Sequence, residues 1–374
     1  MANTPTLPLP HSPQPPQLPR LTSASAPLTC EVEAFNEFGE RQLVAIPAER
    51  ALTVYVDKRE LVTLMTLGAH PELLVLGYLR NQRLVTSPFD IESITVDWEV
   101  GAAAVKTRGG IQDIEEKTSR RVVTTGCGQG SVFGGLMDEV DQIVLPADAR
   151  LSQRQLYALV NTIRLKETTY KSAGSVHACA LFRTAGDSCD MLLFVEDVGR
   201  HNALDTIAGW MWVGGAPTLV TSCTALPPEG ALEGGAPTLG TDVSSLPPEG
   251  ALRLRPGEAG SAAPAGLEKA AALLPDGPMR PSSAPGTASG EGGLVFYTTG
   301  RLTSEMVIKS AQMGVPVVVS RSGMTQMGHQ IATQLGLCAI GRATNKRFVC
   351  YAGAERFDFE PGLAGRAETP ATAE

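Results

Sequence analysis

The last third of the chain alternates between short apolar runs and helix-forming segments, and this alternation constrains the fold more than any other feature. Residues 294–297 form an apolar run typical of a strand, Thr303 is placed to cap a helix, and Gly314 is placed to end it. Residues 315–319 form the next strand, and Thr325 precedes a second helix. This order predicts parallel strands covered by helices. We therefore expect an α/β fold class, within a chain that is α+β overall.

Two arginines directly follow these predicted strands. Arg301 comes after the first strand and Arg321 after the second, each just before a helix begins. In such sheets, ligands bind outside the carboxyl ends of the strands, where helix amino termini also favour anions. The pattern predicts an anion site at this edge, although arginines that simply face solvent would leave the same pattern.

Other elements are predicted from local signals earlier in the chain. The β-branched and aromatic content of residues 51–56 indicates a strand, and Pro71 is placed to open a helix with a crowded apolar surface. Ser152 and Gln155 form a capping box before a second helical pattern. Residues 191–195 are typical of a central strand.

Three segments have the composition of disordered chain: residues 1–28, 214–290 and 361–374. The middle segment contains two imperfect copies offset by 20 residues. Two copies are too few to bury a core, so they indicate a duplicated flexible insertion, with a partner-docking loop as the alternative. The rest of the chain is expected to form an amino-terminal subdomain over residues 29–146 and an α/β domain over residues 147–213 and 291–360.

Charge and cysteine spacing argue against several classes of protein. The net charge of −8 disfavours general nucleic-acid binding, which needs a basic surface. No two of the seven cysteines form a CxxC pair, so we expect neither a zinc site nor a disulfide framework. The chain lacks the pattern of a signal peptide and any run of the roughly 20 apolar residues that span a membrane. We therefore expect a cytoplasmic protein that binds neither membrane nor nucleic acid.

Cys127 is the candidate for covalent chemistry. Gly126, Gly128 and Gly130 surround it, so the backbone can turn sharply and expose the thiol. A lone cysteine is more often a small buried hydrophobic residue, but the polar neighbours favour a loop here. A mobile thiolate can attack a persulfide, hold its outer sulfur and present it to an acceptor.

Residues 196–205, with the sequence EDVGRHNALD, form the second candidate site. They follow a predicted strand and open a helix, with Gly199 marking the turn and Asn202 as its expected cap. Buried charges are unfavourable unless they are paired. The segment is therefore either a structural ion network or the mouth of a site that contains Arg200 and His201.

Two further features remain open between a structural and a functional interpretation. His177 begins a separate apolar run and is explained equally well as a structural or a catalytic histidine. A basic segment just before another apolar run could clamp a pyrophosphate, although such a turn is commonly only solvated. Its residues are Arg342, Ala343, Thr344, Asn345, Lys346 and Arg347.

Together these segments resemble the formate dehydrogenase accessory sulfurtransferase family, also called FdhD. The resemblance is carried by Gly126-Cys127-Gly128, by the EDVGRHNALD segment, and by residues 301–311 with the sequence RLTSEMVIKSA. It covers about residues 32–357 except for the insertion, and His177 stands where the family has a histidine.

The resemblance implies a three-layer fold similar to cytidine deaminase and a sulfurtransferase that acts as a homodimer. A cysteine desulfurase would donate sulfur to Cys127, which holds it as a persulfide. The sulfur would pass to molybdenum in bis-molybdopterin guanine dinucleotide, which then enters formate dehydrogenase. The resemblance places this substrate at residues 342–347; Arg301 is expected to lie near its phosphates, with His177, Arg200 and His201 in possible support.

Two departures from the family pattern keep other functions open. Gly130 stands where many members have a second loop cysteine, and residues 342–346 differ from the Phe- and Gly-containing segment usual there, which leaves Arg347 as the best match. The alternative is a chaperone that holds the cofactor, or docks on the apoenzyme, without moving sulfur. A third interpretation is an enzyme that modifies a guanine nucleotide. A zinc deaminase is disfavoured because its His–Glu and PCxxC signatures are missing from the sequence.

Overall fold

The computed structural model describes residues 17–111, 140–214 and 293–364, and the short strands at 122–123, 130–131 and 221–223. The helices, in chain order, are α1 (Pro71–Asn81), α2 (Gln153–Lys166), α3 (Thr169–Ala173), α4 (Arg200–Trp212), α5 (Ser304–Gln312) and α6 (Gln326–Gln334). The strands are β1 (Arg20–Leu21), β2 (Thr29–Phe35), β3 (Arg41–Pro47), β4 (Arg50–Val56), β5 (Arg59–Thr66), β6 (Ile91–Asp97), β7 (Ala102–Thr107), β8 (Val122–Val123), β9 (Gly130–Ser131), β10 (Leu151–Ser152), β11 (His177–Ala185), β12 (Ser188–Asp197), β13 (Thr221–Cys223), β14 (Leu294–Thr298), β15 (Val317–Ser320), β16 (Cys338–Thr344), β17 (Arg347–Ala352) and β18 (Phe357–Asp358).

The smaller of the two main sheets has five strands in the order β1-β6-β7-β4-β5. Its apolar face packs on α1, and side chains such as Leu52 and Leu79 are fully buried between them. The hydroxyl of Thr22, next to β1, donates to the Glu72 carboxylate at 2.6 Å and accepts from the Val96 N–H at 2.9 Å. The expectation that residues up to 28 are disordered is therefore wrong for residues 17–28, because long-range hydrogen bonds hold them on this sheet.

The larger sheet has seven strands in the order β13-β12-β11-β14-β15-β16-β17. On one face, buried residues such as Leu204, Val307 and Ile331 pack α4, α5 and α6 against it. On the other face, Leu156 and Leu159 pack α2 against it. This domain therefore has helices on both faces of a mixed sheet, which is the α/β arrangement expected from the sequence.

The strand–helix pattern predicted for the last third of the chain is confirmed. β14, β15 and β16 pair in parallel, and Gly314 has the positive φ of 75° expected just beyond the end of α5. The Thr325 hydroxyl caps α6 by accepting from the Gly328 N–H at 3.2 Å. Thr303 occupies the N-cap position of α5 but makes no side-chain cap hydrogen bond. The capping box of Ser152 and Gln155 is present in both directions.

The backbones of α1 and α4 touch at two glycines. A Cβ atom added to Gly77 would lie 1.6 Å from the carbonyl oxygen of Asp205, and one added to Gly209 would lie 2.0 Å from that of Leu73. No side chain fits at either position without moving main-chain atoms. These two glycines therefore set the close packing between the helix of the smaller sheet and a helix of the larger one.

Candidate functional site

Four strands of the larger sheet end at the same edge. β12, β14, β15 and β16 run in one direction, because β11 is antiparallel to both β12 and β14 while the other three pair in parallel. We call the ends of these strands, together with the start of β11, the carboxyl edge. It comprises residues 177–178, 197–200, 298–301, 320–323 and 341–344. The loops that carry Arg301 and Arg321 are neighbours there, as the sequence predicted.

His177 meets the loop after β14 at this edge. Its Nδ1 atom lies 3.5 Å from the Thr299 hydroxyl oxygen, which accepts a hydrogen bond from the Ala178 N–H at 3.0 Å. The hydroxyl can therefore donate its own hydrogen to Nδ1. Burial, and then the positive charge of Arg200, lower the pKa of His177. A neutral imidazole is the form that accepts this hydrogen bond.

Arg200 is the first residue of α4, and only 5% of it is exposed. Its side chain crosses the backbone of Gly300, where an added Cβ atom would come within 2.4 Å of the Arg200 Cδ atom. The Gly300 N–H donates to the Thr298 hydroxyl at 3.0 Å, which fixes this loop. Glycine at this position lets the arginine lie against the loop after β14.

Asp197 organises the turn that precedes α4. Its Oδ2 atom accepts hydrogen bonds from the Thr66 hydroxyl at 2.5 Å and the Leu67 N–H at 3.2 Å. Its Oδ1 atom accepts from the Gly199 N–H at 2.9 Å and from the Asn202 side chain at 3.0 Å. Burial raises the pKa of Asp197 although these donors favour its charged form. This carboxylate therefore has a structural role.

The expectation that Asn202 caps α4 is wrong. Gly199 is the N-cap, and Asn202 lies inside the first turn. The Asn202 side chain donates to the Met65 carbonyl at 2.6 Å as well as to Asp197. The Asn202 side chain is held by a residue near the end of β5, which is distant in sequence. A local pattern could not predict this contact, and it predicted a cap instead.

The rest of the EDVGRHNALD segment forms a buried ion network with α5. The Lys309 Nζ atom lies 3.0 Å from the Asp205 carboxylate and 3.1 Å from that of Glu305, and all three side chains are buried. The other oxygen of Glu305 lies 3.4 Å from the His201 Nε2 atom. Burial opposes the charge on Lys309, but the two carboxylates raise its pKa overall. For these residues the structure supports the ion-network interpretation.

The stability of the protein is expected to fall as the pH is lowered below 6.5, because His201 is buried in its neutral form. Burial lowers the pKa of His201 to about 3 from 6.5, although Glu305 favours the charged form. The unfolded chain takes up a proton near pH 6.5 while the folded chain does not. Each pH unit from there down to about 5 then costs up to ~1.4 kcal/mol of unfolding free energy. Chemical denaturation at several pH values measures this slope. His201→Gln is expected to flatten it, and an equally steep slope in the variant would contradict the explanation.

The other arginines of the carboxyl edge differ in how their charge is balanced. Arg321 forms an ion pair with the buried Glu167, donates to the Tyr297 hydroxyl at 3.3 Å and lies over the Tyr170 ring at 5.9 Å. Its charge is therefore already compensated. Arg301 is exposed and available to a ligand in solution.

The basic segment predicted to bind a pyrophosphate is divided by the structure. The N–H of Arg342 donates to the Ser322 carbonyl at 2.7 Å, which places that residue beside the loop after β15. Farther along, the carbonyl of Lys346 accepts from the Tyr157 hydroxyl at 3.0 Å, so the turn packs on the first half of α2. Ala343 is buried. The exposed residues are Arg342, Thr344, Asn345, Lys346 and Arg347.

Cys127 lies outside the described residues, so the expectation that its thiol is exposed remains a prediction. The sequence interpretation also missed residues that build the edge. The sequence patterns single out neither Thr299 nor Gly300 at the predicted strand end, nor Glu167 as the partner of Arg321. Thr299 and Gly300 follow a predicted strand directly, which was a usable signal. Nothing local marks Glu167, because it meets Arg321 only in the folded chain.

Within the described ranges, no cluster of three or more His, Cys, Asp or Glu side chains is arranged to hold a metal ion. None of the helices in those ranges combines the length and the apolar character needed to span a membrane.

Comparison with known proteins identifies the family. The model of the FdhD/NarQ family matches residues 47–224 and 287–358, which is well over half of the chain. The chain belongs to the FdhD/NarQ family. Among relatives, the sulfur carrier protein FdhD of Listeria innocua is 23% identical over 314 residues, covering 83% of this chain and 91% of that protein. The protein of the same name from Bacillus subtilis is 24% identical over 308 residues, covering 82% and 88%.

A solved structure confirms the fold of this FdhD/NarQ member. The crystal structure of a putative formate dehydrogenase accessory protein from Desulfotalea psychrophila superposes with a TM-score of 0.54 and 18% sequence identity. The match covers 88% of this chain and 100% of that one. The two sheets and their helices are therefore an arrangement already observed experimentally.

Proposed function

We propose that this protein is a cytoplasmic sulfur carrier that serves the maturation of formate dehydrogenase. Its family membership supports this, as do the relatives named sulfur carrier protein and the structural relative described as a formate dehydrogenase accessory protein. The observation that carries the proposal is Cys127, a thiol between Gly126 and Gly128 in a chain of this family.

In this proposal the protein is a sulfurtransferase that takes sulfur from a cysteine desulfurase. The Cys127 thiolate attacks the outer sulfur of the persulfide on the donor. A new S–S bond forms as the donor S–S bond breaks, and the donor leaves as a thiolate. The carrier then presents its outer sulfur to the molybdenum of bis-molybdopterin guanine dinucleotide, which is the substrate and is afterwards inserted into formate dehydrogenase.

The carboxyl edge is the proposed place for this substrate. Arg301 is exposed there, and the exposed part of the basic segment begins at Arg342, beside the loop after β15 that neighbours the Arg301 loop. Exposed guanidinium groups suit the phosphates of a dinucleotide. His177 lies at the same edge, whereas His201 is part of the buried ion network with Glu305 and Lys309. A homodimer, as expected from the resemblance, is part of the proposal.

The test is the mass of the protein after incubation with a cysteine desulfurase and cysteine. We expect the added mass of one sulfur atom, located on Cys127 by peptide mapping and absent from Cys127→Ala. Cys30 is an exposed, free cysteine outside the motif, so Cys30→Ala is the matched control and should take up sulfur normally. Failure of the wild-type protein to gain sulfur on Cys127 would reject the carrier function.

The rival is a chaperone that holds the same substrate without moving sulfur, and Gly130 in place of a second loop cysteine favours it. Cys127→Ala separates the two functions in a cell that lacks the native protein. A carrier loses all support of formate dehydrogenase activity with this change, whereas a chaperone retains it.

A further inference from the structure

Arg200 is a buried cation whose charge has no partner in the part of the chain that the structure describes. Its Nε and Nη2 atoms are both buried and make no hydrogen bond. Buried polar atoms in proteins almost always have a hydrogen-bond partner, and an unpaired buried charge is strongly unfavourable. A side chain held in this state points to a ligand that completes it.

The carboxylates nearest to Arg200 in sequence are engaged elsewhere. Glu196 accepts hydrogen bonds from the N–H groups of Thr169 and Tyr170 at 2.9 Å and 3.1 Å. Asp197 accepts four hydrogen bonds, as described above, and none comes from Arg200. The contrast with Arg321 is direct, because that arginine on the same edge is paired with Glu167.

The two Arg200 nitrogens without a hydrogen-bond partner indicate the geometry of the anion that would bind them. The Nε–H and Nη2–H bonds point outward along the same edge of the planar guanidinium group, and together they can bind two oxygens of one anion side by side. Arg200 also begins α4, a helix of 13 residues whose N-cap, Gly199, supplies no side-chain oxygen to its amino terminus. The first N–H groups of a helix have no partner within the helix, and they can bind a further oxygen of an anion. A phosphate can give two oxygens to Arg200 and a further oxygen to the helix N–H groups, whereas a carboxylate has only two oxygens.

We propose that the Nε–H and Nη2–H groups of Arg200 bind two oxygens of a phosphate group of a nucleotide ligand that enters at the carboxyl edge. His177 and Thr299, which lie beside this position, carry no negative charge that would compete with the phosphate. The inference rests on the proposed function, because the substrate proposed there contains a guanine dinucleotide. It deepens that function by assigning one residue to the recognition of one chemical group.

The experiment is calorimetric titration of the full chain with guanosine diphosphate, inorganic pyrophosphate and guanosine. Arg200→Lys keeps the positive charge but removes the side-by-side pair of donors, so we expect about tenfold or greater loss of affinity for the two phosphate-bearing probes. Affinity for guanosine should not change. Arg41→Lys, at an exposed position on β3, is the matched control and should bind all three probes as the wild type does.

A second variant tests the same inference if Arg200→Lys does not fold. Gly300→Ala leaves the guanidinium intact but places a methyl group only 2.4 Å from the position of the Arg200 Cδ atom. The Arg200 side chain must shift to make room, so a Gly300→Ala protein whose circular dichroism matches that of the wild type should bind guanosine diphosphate more weakly. Wild-type affinity for the phosphate probes in both folded variants would overturn the inference. Failure of the wild-type protein to bind either probe at millimolar concentration would overturn it as well.

The outcome is separable from that of the proposed function. Sulfur uptake by Cys127 with unaltered phosphate binding in the variants would reject the role of Arg200 alone. Loss of phosphate binding in the variants, with no sulfur uptake by the wild type, would keep the role of Arg200 and reject the carrier function.

Discussion

Lys309→Met is expected to lower the free energy of unfolding by about 3–5 kcal/mol, because it strands two buried carboxylates. Lys309 is fully buried and lies within 3.1 Å of both Asp205 and Glu305. Methionine fills nearly the same volume, so the loss reports on charge and not on a cavity. Denaturant titration at pH 7 measures it.

The pH dependence of this loss tests its cause. Burial already raises the pKa of Asp205, and removal of Lys309 takes away the charge that opposes this rise. The carboxylates of the variant should therefore take up protons on folding, and its deficit against the wild type should shrink as the pH is lowered toward 5. Lys106→Met is the matched control: Lys106 pairs with Glu92 at 2.8 Å on the surface, and its loss should cost less than about 1 kcal/mol. If Lys309→Met lowered the unfolding free energy by as little as Lys106→Met does, the buried Lys309, Asp205 and Glu305 would not be charged in the folded protein.

Gly77→Ala is expected to destabilise the fold by about 3 kcal/mol or more, near the upper end of the range for overpacked cores. The new methyl group would meet the carbonyl oxygen of Asp205 at 1.6 Å. A main-chain atom in the middle of α4 cannot move aside as a side chain does, so α1 and α4 must separate. Separation would also disturb the hydrogen bond of 2.7 Å from Asn81 to the Asp205 side chain.

The control for Gly77 is another glycine that is not crowded. A Cβ atom added to Gly109 would meet no atom within 4 Å, so Gly109→Ala should change the unfolding free energy by no more than about 0.5 kcal/mol. Thermal or denaturant unfolding of both variants makes the comparison. Equal stability of the two would mean that α1 and α4 are not in backbone contact.

The sequence was sufficient where structure depends on neighbours in the chain. The capping box at Ser152, the turn at Gly314 and the cap at Thr325 are local, and each was predicted. The parallel pairing of β14 and β15 followed from the strand–helix order. This was enough to place Arg301 and Arg321 on one edge of a sheet.

The sequence was not sufficient where a side chain finds its partner far along the chain. The Thr66 hydroxyl reaches Asp197 across 131 positions, and Lys309 reaches Asp205 across 104. The periodic pattern of apolar residues carries no information about which distant side chains will pair. The same limit explains why Arg200 and Arg321 look alike in the sequence, although one is neutralised by Glu167 and the other is buried without a partner.

The direction of α4 determines where the chain tolerates insertions and deletions. This helix starts at the carboxyl edge and runs back, so that the carbonyl of Ala208 and that of Gln312, at the end of α5, both contact Arg80. Cys223, at the end of β13, pairs with Cys189 near the start of β12, and Gly293 lies just before β14, so both are toward the opposite end of the sheet from Arg200 and Arg301. Extra residues can accumulate between them, or be lost, while the loops of the carboxyl edge keep their lengths. A copy of 20 residues at that point therefore leaves the residues of the carboxyl edge in place.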